Sequence, residues 1–207
     1  MQFAGLIHFL DLAGTFVFAL SGALIAAKKK MDILGMFVLA IVTAIGGGTL
    51  RSVLIGATPV PFLQDVSYLI CCALATALVF GFSHQLGKFS KAILVFDAIG
   101  LGIFVSIGIS IAFSKGLSNW ASLLMGIITG SFGGVIRDVL TAEIPLIFQK
   151  EIYATACLIG GLLFLFLHSL ELPSELVILL SAFLVCAVRL LALHFDLSLP
   201  KAFNPEN

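Results

Sequence analysis

The sequence predicts an all-α membrane protein of seven transmembrane helices, arranged as two inverted three-helix repeats plus a seventh helix. Three observations carry that prediction. Of the 207 residues, 60% are hydrophobic and only 11% are charged, with a mean hydropathy of +1.19, far outside the range of soluble domains. Polar breaks divide the chain into seven apolar stretches of about the 20 residues that a bilayer requires. The chain also repeats itself at an offset of 86 residues: residues 11–62 align with 97–148 without a gap, and 16 of the 52 positions are identical. Each copy begins three spans, and three is odd, so the second copy enters the bilayer from the opposite side.

The spans follow in order. The first, at about 4–27, ends at the KKKMD break. Its opening MQFAGLIHFLD has no Lys, Arg or small-residue cleavage site and reads as part of the span rather than as a signal peptide. The second, at 33–55, carries IGGGTLR and ends at GATPVPFLQD. The third, at 66–83, closes repeat one at HQLGKFSK. Repeat two restarts with Asp97 in the fourth span, at 92–114, which stops at SKGLSN. The fifth, at 119–140, carries SFGGVIRD and stops at TAEIPLIFQKE. The sixth, at 150–168, ends at HSLELPSE, and the seventh covers 175–195. Residues 1–195 thus form one transmembrane domain: repeat one over about 4–83, repeat two over about 92–168, then the seventh helix. The polar tail 196–207, with two prolines, is expected to fray. Connections this short place successive helices antiparallel.

Lysine counts orient the bundle. Lys28, Lys29, Lys30, Lys88, Lys91, Lys150 and Lys201 fall on one side, and only Lys115 falls on the other. The positive-inside rule makes the first side cytoplasmic, with an external N-terminus and a cytoplasmic C-terminus.

The repeat register collects the chemistry. Asp11 matches Asp97, Thr43 matches Thr129, Gly47 and Gly48 match Gly133 and Gly134, and Arg51 matches Arg137. Each glycine costs about 1 kcal/mol of helix propensity relative to Ala. The runs Gly46–Gly48 and Gly133–Gly134 are therefore expected to kink or break the second and fifth helices and to border a polar pathway near the midplane. Close packing is the alternative, since Gly126, Gly130 and Gly134 recur at four-residue spacing, as do Ala40, Ala44 and Gly48. Charges inside spans cost about 2.5–3.5 kcal/mol on insertion scales. Asp11 with Arg51, and Asp97 with Arg137, are expected to pair and to flank the pathway at its two mouths. Asp138 adds a carboxylate where Ser52 stands in repeat one. Thr43, Thr49 and Thr129 are hydroxyl candidates for the lining, with back-bonding to the helix as the alternative.

Other classes are excluded. A net charge of zero gives no basic surface for nucleic acid. Neither a nucleophile–base pair nor a phosphate loop appears, so no enzyme is expected. Cys71, Cys72, Cys157 and Cys186 lie in apolar spans without metal-ligand spacing and read as small buried hydrophobes. No cofactor or metal is expected, and His8, His84, His168 and His194 receive no role.

The segments DLAGTFVFALSGALIAAKKKMDILGMFVLAIVTAIGGGTLRS, DAIGLGIFVSIG and GIITGSFGGVIRDVLTAEIPLIF resemble the bacterial members of the trimeric intracellular cation (TRIC) channel family. The resemblance covers about residues 8–165 and rests on the doubled Asp-x-x-Gly and Thr-x-x-x-Gly-Gly-x-x-Arg pattern. It implies a seven-helix protomer, a homotrimer in the bacterial inner membrane, and one pore per protomer for potassium and other monovalent cations, bordered by the glycine kinks. Phe132 departs from the pattern where a third glycine is expected, and Ser52 where relatives often carry Asp. Such bacterial proteins are also labelled glycine transporters, and paired Asp and Arg would suit a zwitterion.

The orientation is testable. A cysteine at Gln2 should react with an impermeant thiol reagent in intact cells, and one at Asn207 should not. The opposite pattern would overturn the assignment of both mouths.

Overall fold

The computed structural model describes residues 2–82, 90–149 and 152–197. Lys88, Lys150, Lys201 and His84, and all of the tail beyond residue 197, lie outside the described residues. The described chain is all helical: α1 (Gln2–Lys28), α2 (Ile33–Leu54), a 3-10 turn (Pro61–Leu63), α3 (Ser67–Gly81), α4 (Ser90–Ser114), α5 (Asn119–Leu140), the short α6 (Leu146–Gln149), α7 (Ala154–Ser169) and α8 (Ser174–His194). Five of these (α1, α2, α4, α5 and α8) are long and apolar enough to cross a membrane. The apolar helices α3 and α7 are shorter, at 15 and 16 residues.

Local chemistry sets the ends. The Oδ1 of Asp32 accepts from the Gly35 N–H at 2.7 Å at the start of α2. Ser118, at the matching place before α5, accepts from the Ala121 N–H at 3.4 Å. Both are side-chain N-caps. At the far ends, left-handed residues turn the chain: Lys30 and Gly116 after α1 and α4, Gly56 and Ala142 after α2 and α5. The breaks after α2 and α5 contain the two short helical turns.

Lipid supplies no hydrophobic drive for one apolar helix to seek another, so fit decides the packing. The fit here is reciprocal. Phe18 of α1 lies against Gly100 of α4, and Phe104 of α4 lies 3.1 Å from where a Cβ on Gly14 of α1 would stand. The two rings meet at a centroid distance of 5.2 Å. Gly22 and Gly108 each receive the hydroxyl of their own repeat's threonine, Thr43 or Thr129, 2.6 Å from the Cβ position. Most closely, a Cβ on Gly47 of α2 would fall on the Thr129 carbonyl oxygen of α5, and a Cβ on Gly133 would fall on that of Thr43. The two backbones cross in direct contact. Around this crossing, α1 packs on α2, α3 and α4, while α4 packs on α5, α7 and α8.

One expectation requires correction. The glycine runs do not interrupt their helices: α2 continues through Gly46–Gly48, and α5 through Gly133–Gly134. A few glycines forfeit about 1 kcal/mol each in propensity, whereas each backbone group left unsatisfied at membrane depth costs several. The helix therefore holds, and the missing side chains serve to admit the opposing backbone. The consecutive glycines also divide their duties. Gly47 and Gly133 face the crossing. Gly48 stands 3.9 Å, from its Cβ position, to Arg51 Nη2, and Gly134 stands 3.5 Å to Arg137 Nη2.

Substitution should separate these faces. Gly47→Ala and Gly133→Ala are expected to destabilise the protein by about 1–3 kcal/mol each, because a backbone carbonyl cannot move aside as a side chain can. Gly48→Ala and Gly134→Ala meet only ordinary contacts and should leave the melting temperature in detergent unchanged or slightly higher. Equal losses at all four positions would refute the backbone crossing.

Candidate functional site

Two polar chambers lie on either side of the crossing, each built from α1 or α4 together with α2 or α5. At the first, Arg51 sits in the last turn of α2 and is buried. The expected Asp11–Arg51 ion pair is not formed. Asp11 instead accepts a hydrogen bond from Tyr68 Oη of α3, at 2.6 Å to its Oδ2. Among the described residues no carboxylate comes within 4.0 Å of Arg51, and its Nε and Nη1 are buried without a partner. Asp11 and Arg51 nevertheless line the same cavity. A cavity of about 20 Å³ opens here, lined by Asp11, Thr15, Gly48, Thr49, Arg51 and Tyr68 among others. That is room for about one water. His8 lies 3.5 Å from Asp65 and edge-on to Tyr68, at a ring distance of 6.4 Å. The Ser67 backbone N–H donates to Asp65 and holds its carboxyl below the usual range.

At the second end the arginine is ion-paired twice, while its Nη2 is buried without a partner among the described residues. Arg137 Nη1 donates to Asp97 Oδ1 and to Ser21 Oγ, both at 2.8 Å, and its Nε donates to Asp138 Oδ1 at 2.8 Å. Asp138 Oδ2 accepts from the Leu146 N–H at 3.0 Å, which fixes the start of α6. The Arg137 and Asp97 side chains are 0% and 1% exposed. Two carboxylates on one guanidinium with charge-assisted geometry is the condition under which a buried ion pair is tolerated. Beyond them opens a cavity of about 360 Å³, lined by Lys28, Lys29, Arg137, Asp138, Glu143 and Gln149 among others. Lys29 donates to Glu143 across its mouth and holds that carboxyl below its usual range.

One exchange within the repeat register explains why the ends differ: Ser52 stands where Asp138 would hold the guanidinium.

The other sequence candidates separate. Thr49 lines the smaller cavity. Thr43 and Thr129 do not reach either chamber lining: their hydroxyls donate one turn back, to Leu39 O at 2.6 Å and Met125 O at 2.5 Å. The intervening space is taken by Gly22 and Gly108. Sequence reasoning missed Arg189 of α8, which is buried with its guanidinium carbon 4.9 Å from the Tyr153 ring centroid. The signal was available, since an arginine well inside an apolar span is informative by itself, but it lies outside the repeat. Among the described residues no three His, Cys, Asp or Glu side chains come together as could hold a metal ion.

Comparison with known proteins agrees with this architecture. A family model described as glycine transporter matches the chain twice, over residues 8–84 and 94–169. A membrane protein of Vibrio cholerae is 44% identical over 200 residues, covering 94% of this chain and 82% of its own. The Escherichia coli inner membrane protein YadS is 40% identical over 204 residues, covering 98% and 99%. Among solved structures, one described as showing the structural basis for conductance through TRIC cation channels has a TM-score of 0.85 and 38% identity, covering 95% of this chain and 97% of its own. The TRIC orthologue of Rhodobacter sphaeroides gives 0.88 and 34%, covering 92% and 98%. A prokaryotic TRIC channel crystallised in 0.5 M KCl gives 0.88 and 31%, covering 96% and 100%. With one family model matching both halves and relatives of this similarity along nearly the whole length, the chain belongs to the bacterial branch of the TRIC channel family.

Proposed function

We propose that this protein is a cation channel in the bacterial inner membrane, permeable to potassium and other monovalent cations, with a path inside each protomer of a homotrimer. Seven helices span the lipid: the five long ones together with α3 and α7. Residues up to 83 and residues 92–168 form two inverted repeats, and the reciprocal contacts of Gly47 with Thr129 and Gly133 with Thr43 support that arrangement. The N-terminus is external and the tail cytoplasmic, by the lysine count.

The observation that carries the reading is the pair of chambers at opposite ends of one helix crossing. Each is lined by the matched arginine and a carboxylate: Arg51 with Asp11, beside Gly48, at the first, and Arg137 with Asp138 at the second, where Asp97 pairs with Arg137. Carboxylates near a constriction attract cations, and an arginine beside them sets the barrier. The path joins these chambers by a separation of α2 from α5 at the crossing. The relatives with solved structures are cation channels by description. Glycine transport is the second reading, and the family model's description favours it.

Purified protein in a planar bilayer under a potassium gradient should give discrete current steps, and cross-linking in detergent should reach a trimer. Saturable glycine counterflow without steps would replace the channel by the transporter. The two arginines should then behave unequally. Arg51→Gln removes an unpaired buried cation, so it should fold at normal yield and change conductance or rectification. Arg137→Gln strands two buried carboxylates and should cost about 3–5 kcal/mol of stability. Unaltered currents in Arg51→Gln would remove that arginine from the path.

A further inference from the structure

Arg189 is the buried cation that the symmetric chambers leave unexplained. It sits on α8, outside both repeats, and its Nε and Nη2 are buried without a hydrogen-bond partner. Among the described residues no carboxylate lies within 4.0 Å of it. Its contact with the Tyr153 ring offsets only part of the burial of a full charge. Tyr153 links it to Asp97: the ring lies under the guanidinium, and the ring's Oη and Asp97 Oδ1 both stand within 3.5 Å of the Cβ position of Gly134.

Asp97 has an oxygen to spare. Its Oδ1 holds Arg137, while Oδ2 is buried without a partner. Arg137 does not depend on Asp97 alone, because Asp138 and Ser21 also accept from it. Of the two arginines around Asp97, one therefore holds two carboxylates and the other none. If Asp97 moved from Arg137 to Arg189, each arginine would hold one, and no charge would be stranded. The groups involved already meet at Gly134: Tyr153 Oη, Arg137 Nη2 and Asp97 Oδ1 converge at 3.4, 3.5 and 3.5 Å from the position a Cβ would occupy.

We propose that Asp97 has two alternative ion-pair partners, Arg137 on α5 and Arg189 on α8, and that Arg189 is the positioning residue that draws Asp97 away and frees Arg137 to move in its chamber. Through it, the helix outside the repeats acts on the path. The proposal rests on the channel reading for its effect on current, but not for the partnership itself.

The test is a double-mutant cycle on the purified full chain with Asp97→Asn, Arg189→Gln and both, read in two ways. Melting in detergent should be non-additive. Additive shifts would overturn the partnership whatever the currents show, including in a wild type that carries none, where the channel reading alone would fall. In bilayers Arg189→Gln should lock Asp97 on Arg137 and lower open probability about tenfold or more, the scale of a lost charge-assisted hydrogen bond, with unit conductance unchanged. In the Asp97→Asn background the same change should do nothing further. Arg189→Lys, which keeps the charge and guards against a folding failure of the Gln variant, should restore part of the open probability. An unchanged open probability in Arg189→Gln, or an equal drop without Asp97, would overturn the positioning role.

Discussion

The rest of the molecule depends on a backbone contact between α2 and α5. In lipid, apolar side chains gain nothing by leaving one hydrocarbon surface for another, so helices associate through close fit and through polar groups that need partners. Gly47 against the Thr129 carbonyl and Gly133 against the Thr43 carbonyl bring the two helices as near as backbones can come. That approach places Gly48 and Gly134, one residue further along, on the sides facing Arg51 and Arg137. The same glycine runs thus close the bundle and open space beside two buried charges. A single glycine per turn would have provided the first without the second.

Charge burial sets the difference between the ends. Arg137 is neutralised twice, by Asp97 and Asp138, and sealed by Ser21. Arg51, with Ser52 beside it and Asp11 turned to Tyr68, has no ion pair among the described residues. One exchange within a shared scaffold, Asp138 for Ser52, gives one end a doubly held arginine and leaves the other without that carboxylate. The cavity sizes follow the same division, about 20 Å³ at Arg51 and about 360 Å³ at Arg137. The wide end also carries Lys28, Lys29 and Glu143, which come from the helix-ending turns.

Much of this was legible in the sequence. The fifth span was placed at 119–140, and the helix runs Asn119–Leu140. The second and fourth differ from their helices by one or two residues. Such boundaries are readable because capping residues and lysines punctuate long apolar runs. The Asp97–Arg137 pair was legible from the repeat, because an unpaired charge in a span is costly. The partner of Asp11 was not, since Tyr68 lies on a third helix, beyond the gap-free stretch of the repeat. Nor was the continuity of α2 and α5, because helix propensity measured in water understates what hydrocarbon exacts for a broken backbone. Arg189 carries no repeat signal, because it stands on α8 outside both repeats.

The central claim, one path joining the two chambers across the α2–α5 crossing, is most directly tested with silver ions on single channels. Ag⁺ carries the charge of the proposed permeant ion and binds thiolate. The protein would carry Cys71, Cys72, Cys157 and Cys186 replaced by Ser, with one new cysteine at Gly48 or at Gly134. The expected result is an irreversible block at both positions from either side of the bilayer while the channel opens, and no block in the cysteine-free parent. Persistent currents that silver leaves untouched at both positions would place the path elsewhere.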